Sequence, residues 1–314
     1  MKTTNCLLIS SLFISNLIWA QNGKIISKVP LVLHDSTYNQ VNKTDTALGL
    51  KLRSIDFYRI TYLSDGLKIS GYIAEPKEKG KYPCIISNRG GNSNFSQWNP
   101  ISIAYFLGRM ASWKYIVIAS QYRGNDGGEG KEEFGGKDID DVLNLIPALS
   151  QLPNADTSRI GIEGTSRGGM MTYLAMKNTC RFKAAVVTGG IANVYFETTR
   201  VWRTKPWELI PGYENNKENV LKARSAIYWA DQLCKTTPLL ILQGSADWRT
   251  SPGDVLEFVQ KLYEYKHPVR FILYEGADHG IREFRPENFA ETKRHFDYYL
   301  RDGKKWPSME PHGS

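Results

Sequence analysis

The chain has 314 residues, 41% of them hydrophobic, and a formal net charge of +8. That length provides one large α/β domain with a full core and little besides. Its lysines and arginines are spread without a basic block and accompany no recognisable nucleic-acid module, so the charge reads as a solubilising surface and no nucleic-acid partner is expected.

In chain order, the first signal is Lys2 followed by the apolar stretch Cys6 to Ala20. The stretch is short for a membrane span but suits the hydrophobic region of a secretory signal, with Ala20 as the last residue before cleavage. Ile18, three before the cut, is larger than the usual small residue. No cysteine follows the stretch to take a lipid. Residues 1–20 are therefore expected to be a signal peptide, the protein to be exported (periplasmic or secreted), and no stable membrane anchor to remain after cleavage. Residues 21–55 form a polar N-terminal arm with no clear periodicity.

Strand-like runs then appear at 56–63, 67–74, 83–87, 115–121, 159–163, 183–188, 238–243 and 269–274. Helical patterns fall at 98–111, 137–150, 167–178, 253–265 and 286–300. Ser64-Asp65-Gly66 between the first two runs is a hairpin signal, so the sheet should begin antiparallel. The later alternation predicts a mostly parallel eight-stranded sheet with helices on both faces, over a domain spanning 56–302. Within it, 189–237 is long for a simple connection and rich in aromatic residues (Trp202, Trp207, Tyr213, Tyr228, Trp229), which suits a lid or pocket wall. For the tryptophans, packing of the insertion itself is the preferred reading. Residues 303–314 are a polar tail.

The chemistry concentrates at Gly164-Thr165-Ser166-Arg167-Gly168-Gly169, between the strand-like Arg159 to Glu163 and a helical pattern. A strand turning sharply into a helix strains the residue at its tip, and glycines two before and two after it remove the Cβ clashes. Ser166 would then stand above the sheet, with the helix N-terminus behind it. A serine hydroxyl needs a base and a carboxylate to orient that base. Of the five histidines, His34, His267, His295 and His312 fall in the arm, beside a strand start, in a helix and in the tail. His279 leaves the strand Val269 to Tyr274 at its carboxyl end, where catalytic groups gather. The acid should lie between serine and histidine, and Asp247 leaves the apolar strand Pro238 to Gln243. Asp278 competes, but as the neighbour of His279 it is badly placed to meet that ring. For the oxyanion, one amide would come from Arg167 and another from Gly90 or Gly91 in the loop after Pro83 to Ser87.

After the signal, Cys84, Cys180 and Cys234 remain. Cys84 reads as a buried small hydrophobe. Cys180 and Cys234 each precede a strand, and if those strands are neighbours the two thiols could bridge. No spacing suggests a metal site, and the proposed chemistry needs no cofactor.

These residues carry a resemblance to the prolyl oligopeptidase family of α/β-hydrolases over roughly residues 55–302. Beyond the elbow, the matching pieces are Asp65 to Tyr72, Lys81-Tyr82-Pro83, Tyr122-Arg123-Gly124-Asn125, Asp140-Asp141-Val142, Ala155 to Gly161, Ala223-Arg224-Ser225 and Pro238 to Ile241. The resemblance implies an α/β-hydrolase fold, a serine peptidase, and Ser166, Asp247 and His279 as the triad. It also implies that Arg249, two after the acid, contacts a substrate carbonyl, and that Tyr195 and Phe196 line a specificity pocket. Two departures stand out. Arg89 occupies the place before Gly-Gly where members carry Tyr or His, so no tyrosine hydroxyl can reach an oxyanion from there. A β-propeller gate, present in larger relatives, would not fit in the residues left over. The expected substrate is a short peptide, with small acylated esters as the alternative and a non-catalytic binding module as the reading from another class. Oligomeric state is not legible.

Overall fold

β-Branched runs alternating with amphipathic segments build a twisted sheet with helices packed on both faces. The computed structural model describes residues 21–194 and 205–313, so the expected signal peptide, Tyr195, Phe196 and Trp202 lie outside the described residues. The principal elements are β1 (Ile25–Pro30), α1 (Asp35–Thr44), α2 (Thr46–Leu52), β2 (Ile55–Ser64), β3 (Leu67–Pro76), β4 (Tyr82–Asn88), α3 (Pro100–Ser102, passing through a π-helical stretch Ile103–Leu107 into Gly108–Ser112), β5 (Ile116–Ser120), α4 (Asp138–Leu143), α5 (Leu145–Leu149), β6 (Ala155–Thr165), α6 (Arg167–Asn178), β7 (Phe182–Thr188), α7 (Tyr213–Lys222), β8 (Leu239–Gly244), α8 (Pro252–Glu264), β9 (Val269–Tyr274) and α9 (Arg285–Phe296).

The strand order is β1-β2-β3-β5-β4-β6-β7-β8-β9. β1 through β3 and β5 pair antiparallel, and every pairing from β5-β4 to β8-β9 is parallel. The turn between β2 and β3 is the two-residue Asp65-Gly66, both at positive φ (53° and 79°), which matches the twist of the flanking strands. Parallel pairing sends the carboxyl ends of β4, β6, β7, β8 and β9 to one edge of the sheet, where loops are free to carry function.

Both faces of the sheet are buried. One is covered by α4, α5, α6 and α8 through Val142, Leu145, Leu149, Met170, Leu174, Phe258 and Leu262. The other is covered by α1, α2, α3, α9 and the turn that follows α9, through Val41, Leu52, Leu107, Met110, Phe296 and Leu300. Each such side chain contributes roughly 1.5–3 kcal/mol by leaving water. Burial on both sides is why β4, β5 and β8 read as continuous apolar runs rather than alternating ones.

The sheet has nine strands among the described residues, not the eight expected from sequence. The addition is β1, from the arm expected to lack periodicity, and α1 and α2 follow it in the same arm. β1 is an edge strand whose residues are exposed apart from half-buried Ile25, so no alternation of apolar residues announces it. Its hold on the sheet is the backbone ladder to β2, aided by Lys28 pairing with Glu75 at 2.8 Å.

Two of the short patterns singled out in the sequence brace this framework. Arg123 forks onto Asp141 (2.8 Å) and reaches Asp65 in the hairpin turn (2.8 Å), joining β2, the loop after β5 and α4. Arg224 donates to the carbonyls of Phe134, Glu133 and Val220, fastening the 189–237 insertion to the body. In that insertion Trp229 is buried and its indole N–H donates to the Lys222 carbonyl at 3.1 Å, a packing role of the kind preferred for the tryptophans. β7 and β8 are neighbours, and Cys180 and Cys234 ahead of them are joined in a disulfide with a Cα–Cα distance of 5.4 Å. Cys84 is free and buried, and burial pushes its thiol up to about 12. No helix among the described residues is long and apolar enough to cross a membrane.

Candidate active site

β6 ends at Thr165 and α6 begins at Arg167, which leaves Ser166 alone on the turn at φ 60°, ψ −123°. A non-glycine residue holds that conformation only when its surroundings enforce it. Here they do. The Ser166 amide donates to the Thr188 carbonyl at 3.0 Å, and its carbonyl accepts from Gly169 at 2.9 Å. The flanking glycines are fixed by contact: a Cβ on Gly164 would lie 2.1 Å from the Gly168 carbonyl oxygen, and one on Gly168 would lie 2.0 Å from that of Asn88.

Asp247 and His279 leave the adjacent strands β8 and β9 on loops stitched together by Ala246, whose amide donates to the Ala277 carbonyl at 3.0 Å. His279 Nδ1 and Asp247 Oδ2 are 2.8 Å apart. The rest of the carboxylate is saturated. Oδ1 accepts from the amides of Arg249 (2.8 Å) and Thr250 (3.0 Å), and Oδ2 also accepts from Thr250 Oγ1 (2.5 Å) and Gln243 Nε2 (3.1 Å). Burial works to raise the Asp247 carboxyl, but its hydrogen bonds and the charge of His279 outweigh that and hold it below the ordinary carboxylate range. Asp278 turns back on its own loop, accepting from the amides of Gly280 and Arg282 and pairing with the Arg282 guanidinium at 3.1 Å.

The elbow and the Asp–His pair meet across the end of β7. Gly189, directly after the carbonyl that holds the Ser166 amide, would place a Cβ 3.3 Å from His279 Nδ1 and 3.4 Å from Asp247 Oδ2. The Ser166 hydroxyl forms no hydrogen bond among the described residues.

On the other side of Ser166 passes the loop after β4. A Cβ on Gly90 would lie 3.3 Å from Ser166 Cβ, and one on Gly91, at φ 64°, would lie 2.2 Å from the Phe95 carbonyl oxygen. The amides of Gly90, Gly91 and Arg167 find no acceptor among the described residues. Arg89 is buried against backbone carbonyls, while Arg249 is half-buried with its guanidinium 5.1 Å from the Trp248 ring, itself 62% exposed. Tyr195 and Phe196, expected in the specificity pocket, are outside the described residues.

Sequence reasoning did not reach Thr250 and Gln243, which hold the acid, or Glu132, Asp138 and Tyr122, which surround the elbow arginine. Thr250 carried a usable signal, since a hydroxyl three residues after a loop aspartate can close onto it. Gln243 lies only four residues before Asp247, but on a continuous apolar strand it gave no sign of that partner; Tyr122 stood only as part of a family pattern, and Glu132 and Asp138 reach Arg167 across 35 and 29 residues and carried no signal. Among the described residues no cluster of side chains could hold a metal ion.

A mostly parallel sheet with a serine on a strained strand-to-helix turn and a histidine–aspartate pair on later strand ends defines the class: an α/β-hydrolase of the serine type. Residues 97–305 match the model of the prolyl oligopeptidase family. An uncharacterized peptidase of Bacillus subtilis, YtmA, is 32% identical over 252 residues, which cover 79% of this chain and 94% of YtmA. Dipeptidyl-peptidase 5 of Porphyromonas gingivalis is 29% identical over 70% of this chain, but only 33% of that longer protein is covered. In fold, the acylaminoacyl peptidase of Pyrococcus horikoshii superposes with a TM-score of 0.65 at 23% identity, covering 86% of this chain and 45% of that one. The chain belongs to the prolyl oligopeptidase family and is a serine peptidase of that family, with the α/β-hydrolase fold.

Proposed function

We propose that this protein is an exported peptidase that cleaves short peptides through an acyl-enzyme, with Ser166 as nucleophile, His279 as base and Asp247 as its orienting acid. The observation that carries this reading is the 2.8 Å contact between His279 Nδ1 and a fully bonded Asp247, set against the glycine beside the elbow. With Nδ1–H donated to the carboxylate, the ring presents Nε2 as an acceptor. Ser166 Oγ attacks the carbonyl carbon as its proton passes to Nε2, and the carbonyl oxygen takes the negative charge against the amides of Arg167 and Gly90 or Gly91. His279 then gives that proton to the departing amine, leaving the acyl group on Oγ. Water repeats the sequence, losing a proton to His279, and the free acid leaves as Oγ is reprotonated. In this reading Arg249, beside exposed Trp248, meets a substrate carbonyl.

Export is supported by the signal-like residues 1–20 and by the Cys180–Cys234 bridge, which suits an oxidising compartment. A second reading, hydrolysis of small esters, is favoured by Arg89. With no side-chain hydroxyl at that position the hole relies on amides, and esters have the better leaving group.

The test uses the mature protein and its Ser166→Ala variant with a fluorophosphonate probe, a proline-containing amide and short aryl esters. We expect labelling and amide turnover in the parent and neither in the variant. Equal labelling of both would remove Ser166 from its role, and ester turnover with negligible amide turnover would establish the second reading.

A further inference from the structure

Arg89 is the clearest departure from the family pattern, and its five N–H groups are all accounted for. Nε and Nη2 donate to the Gln121 carbonyl (3.3 and 3.2 Å), Nη1 to the carbonyls of Gly90 (3.2 Å) and Phe95 (3.3 Å), and Nη2 also to that of Ser93 (3.4 Å). The side chain is 1% exposed, so it offers nothing to a substrate oxygen. It grips its own loop instead.

Tyr122 works on the preceding peptide. Its buried hydroxyl donates to the Arg89 carbonyl at 3.1 Å, and its ring lies between two guanidinium groups, 5.0 Å from that of Arg89 and 4.7 Å from that of Arg167. In a trans peptide the C=O and the N–H point in opposite directions. Holding the Arg89 carbonyl from the buried side therefore turns the Gly90 amide away from that side. Holding the Gly90 carbonyl does the same for Gly91. These are the amides of Gly90, which lies beside Ser166, and of its chain neighbour Gly91, both without an acceptor among the described residues.

Glu132 ties this loop to the elbow. It accepts from the Ser93 amide (2.8 Å) and Asn125 Nδ2 (3.0 Å) on one oxygen, and from Arg167 on the other. Arg167 also donates to the Gly91 carbonyl at 3.0 Å and pairs with Asp138. One buried network thus connects both sources of oxyanion donors, although neither glycine nor Arg167 spends its amide on it.

We infer that Arg89, Tyr122 and Glu132 are positioning residues for the oxyanion hole: they aim the Gly90 and Gly91 amides by gripping the carbonyls behind them, where the family pattern places a side chain able to contact the oxyanion itself. The inference rests on the proposed role of Ser166. Its signature is selective loss of transition-state binding, because these residues touch the charge only through amides that a ground-state carbonyl uses weakly.

Tyr122→Phe deletes a single hydroxyl, Glu132→Gln keeps the shape of the carboxylate, and Arg89→Lys keeps the charge but not the fork. For each, kcat and KM on an aryl ester are measured with the inhibition constant of an arylboronic acid, which forms a tetrahedral serine adduct, and of the carboxylic acid product. We expect kcat to fall about tenfold for Tyr122→Phe and about a hundredfold for Arg89→Lys and Glu132→Gln, with boronate affinity falling in parallel while KM and product affinity stay within about twofold. Unchanged kcat in folded Tyr122→Phe and Glu132→Gln overturns the inference, as does equal weakening of boronate and product. If Arg89→Lys does not fold, those two variants decide alone. A parent that the fluorophosphonate fails to label would instead overturn the proposed function, whereas a labelled, active parent with indifferent variants sinks only this inference.

Discussion

Ser166 keeps its strained backbone because its neighbours have no room for anything else. Gly168 is the sharpest case, since a methyl there would sit 2.0 Å from the Asn88 carbonyl oxygen at the end of β4. Gly168→Ala must therefore push apart the elbow and the oxyanion loop. We expect a loss of roughly 1–3 kcal/mol in a denaturant melt and about a hundredfold or more in kcat, whereas alanine at Gly253, whose nearest neighbour would be 3.5 Å away, should leave the elbow untouched. At this scale much of the candidate site was legible. The Gly-x-Ser-x-Gly spacing and the exits from two apolar strands single out Ser166, Asp247 and His279, and the structure brings the last two into contact. Glu132 was not legible: it lies 35 residues before Arg167, and a glutamate in a Gly-rich loop reads as solvated until the fold buries it.

Among the elements, β1 has its start held by a side chain from outside the sheet. Gln151, in the turn after α5, accepts from the Ile25 amide at 3.0 Å and donates to the Gly23 carbonyl at 2.8 Å, holding the start of the strand. Gln151→Ala should fray this edge at a cost of about 1 kcal/mol. Hydrogen exchange would show faster amides in Ile25–Pro30 and unchanged ones in β4 and β6; equal protection before and after would mean that the ladder to β2 suffices. The inner strands and the helices around them were readable from apolar runs and 3.6-residue periodicity, with ends displaced by only a few residues. β1 was not, because it contributes backbone pairing more than buried side chains, and backbone pairing leaves no mark in composition.

For the molecule as a whole, two buried histidines far from the chemistry should add acid sensitivity. His267 and His295 are buried near the amino ends of β8 and β9, with Nε2 placed against the carbonyls of Cys234 and Pro238, both at 3.2 Å. Burial lowers each from an imidazole's ordinary 6.5 to about 4. Between those values the unfolded chain binds protons that the native protein refuses. Their contribution is thus complete above pH 6.5 and is lost as pH falls towards 4, on the order of 1–3 kcal/mol for each ring. The buried carboxyls of Asp138 and Glu163, which burial raises to about 7, act in the opposite sense in the same window, so the histidine share is read by difference: His295→Gln should lose less melting temperature between pH 6.5 and 4 than the parent, and an unchanged pH slope would show that His295 does not contribute. The Cys180–Cys234 bridge lies at the same amino-terminal side of the sheet and spans 54 residues, enclosing β7 and the excursion that follows it as far as Cys234. A protease that nicks the backbone once between the two cysteines would therefore release nothing: the two halves stay covalently linked, and the cut becomes visible on a gel only after a reductant is added.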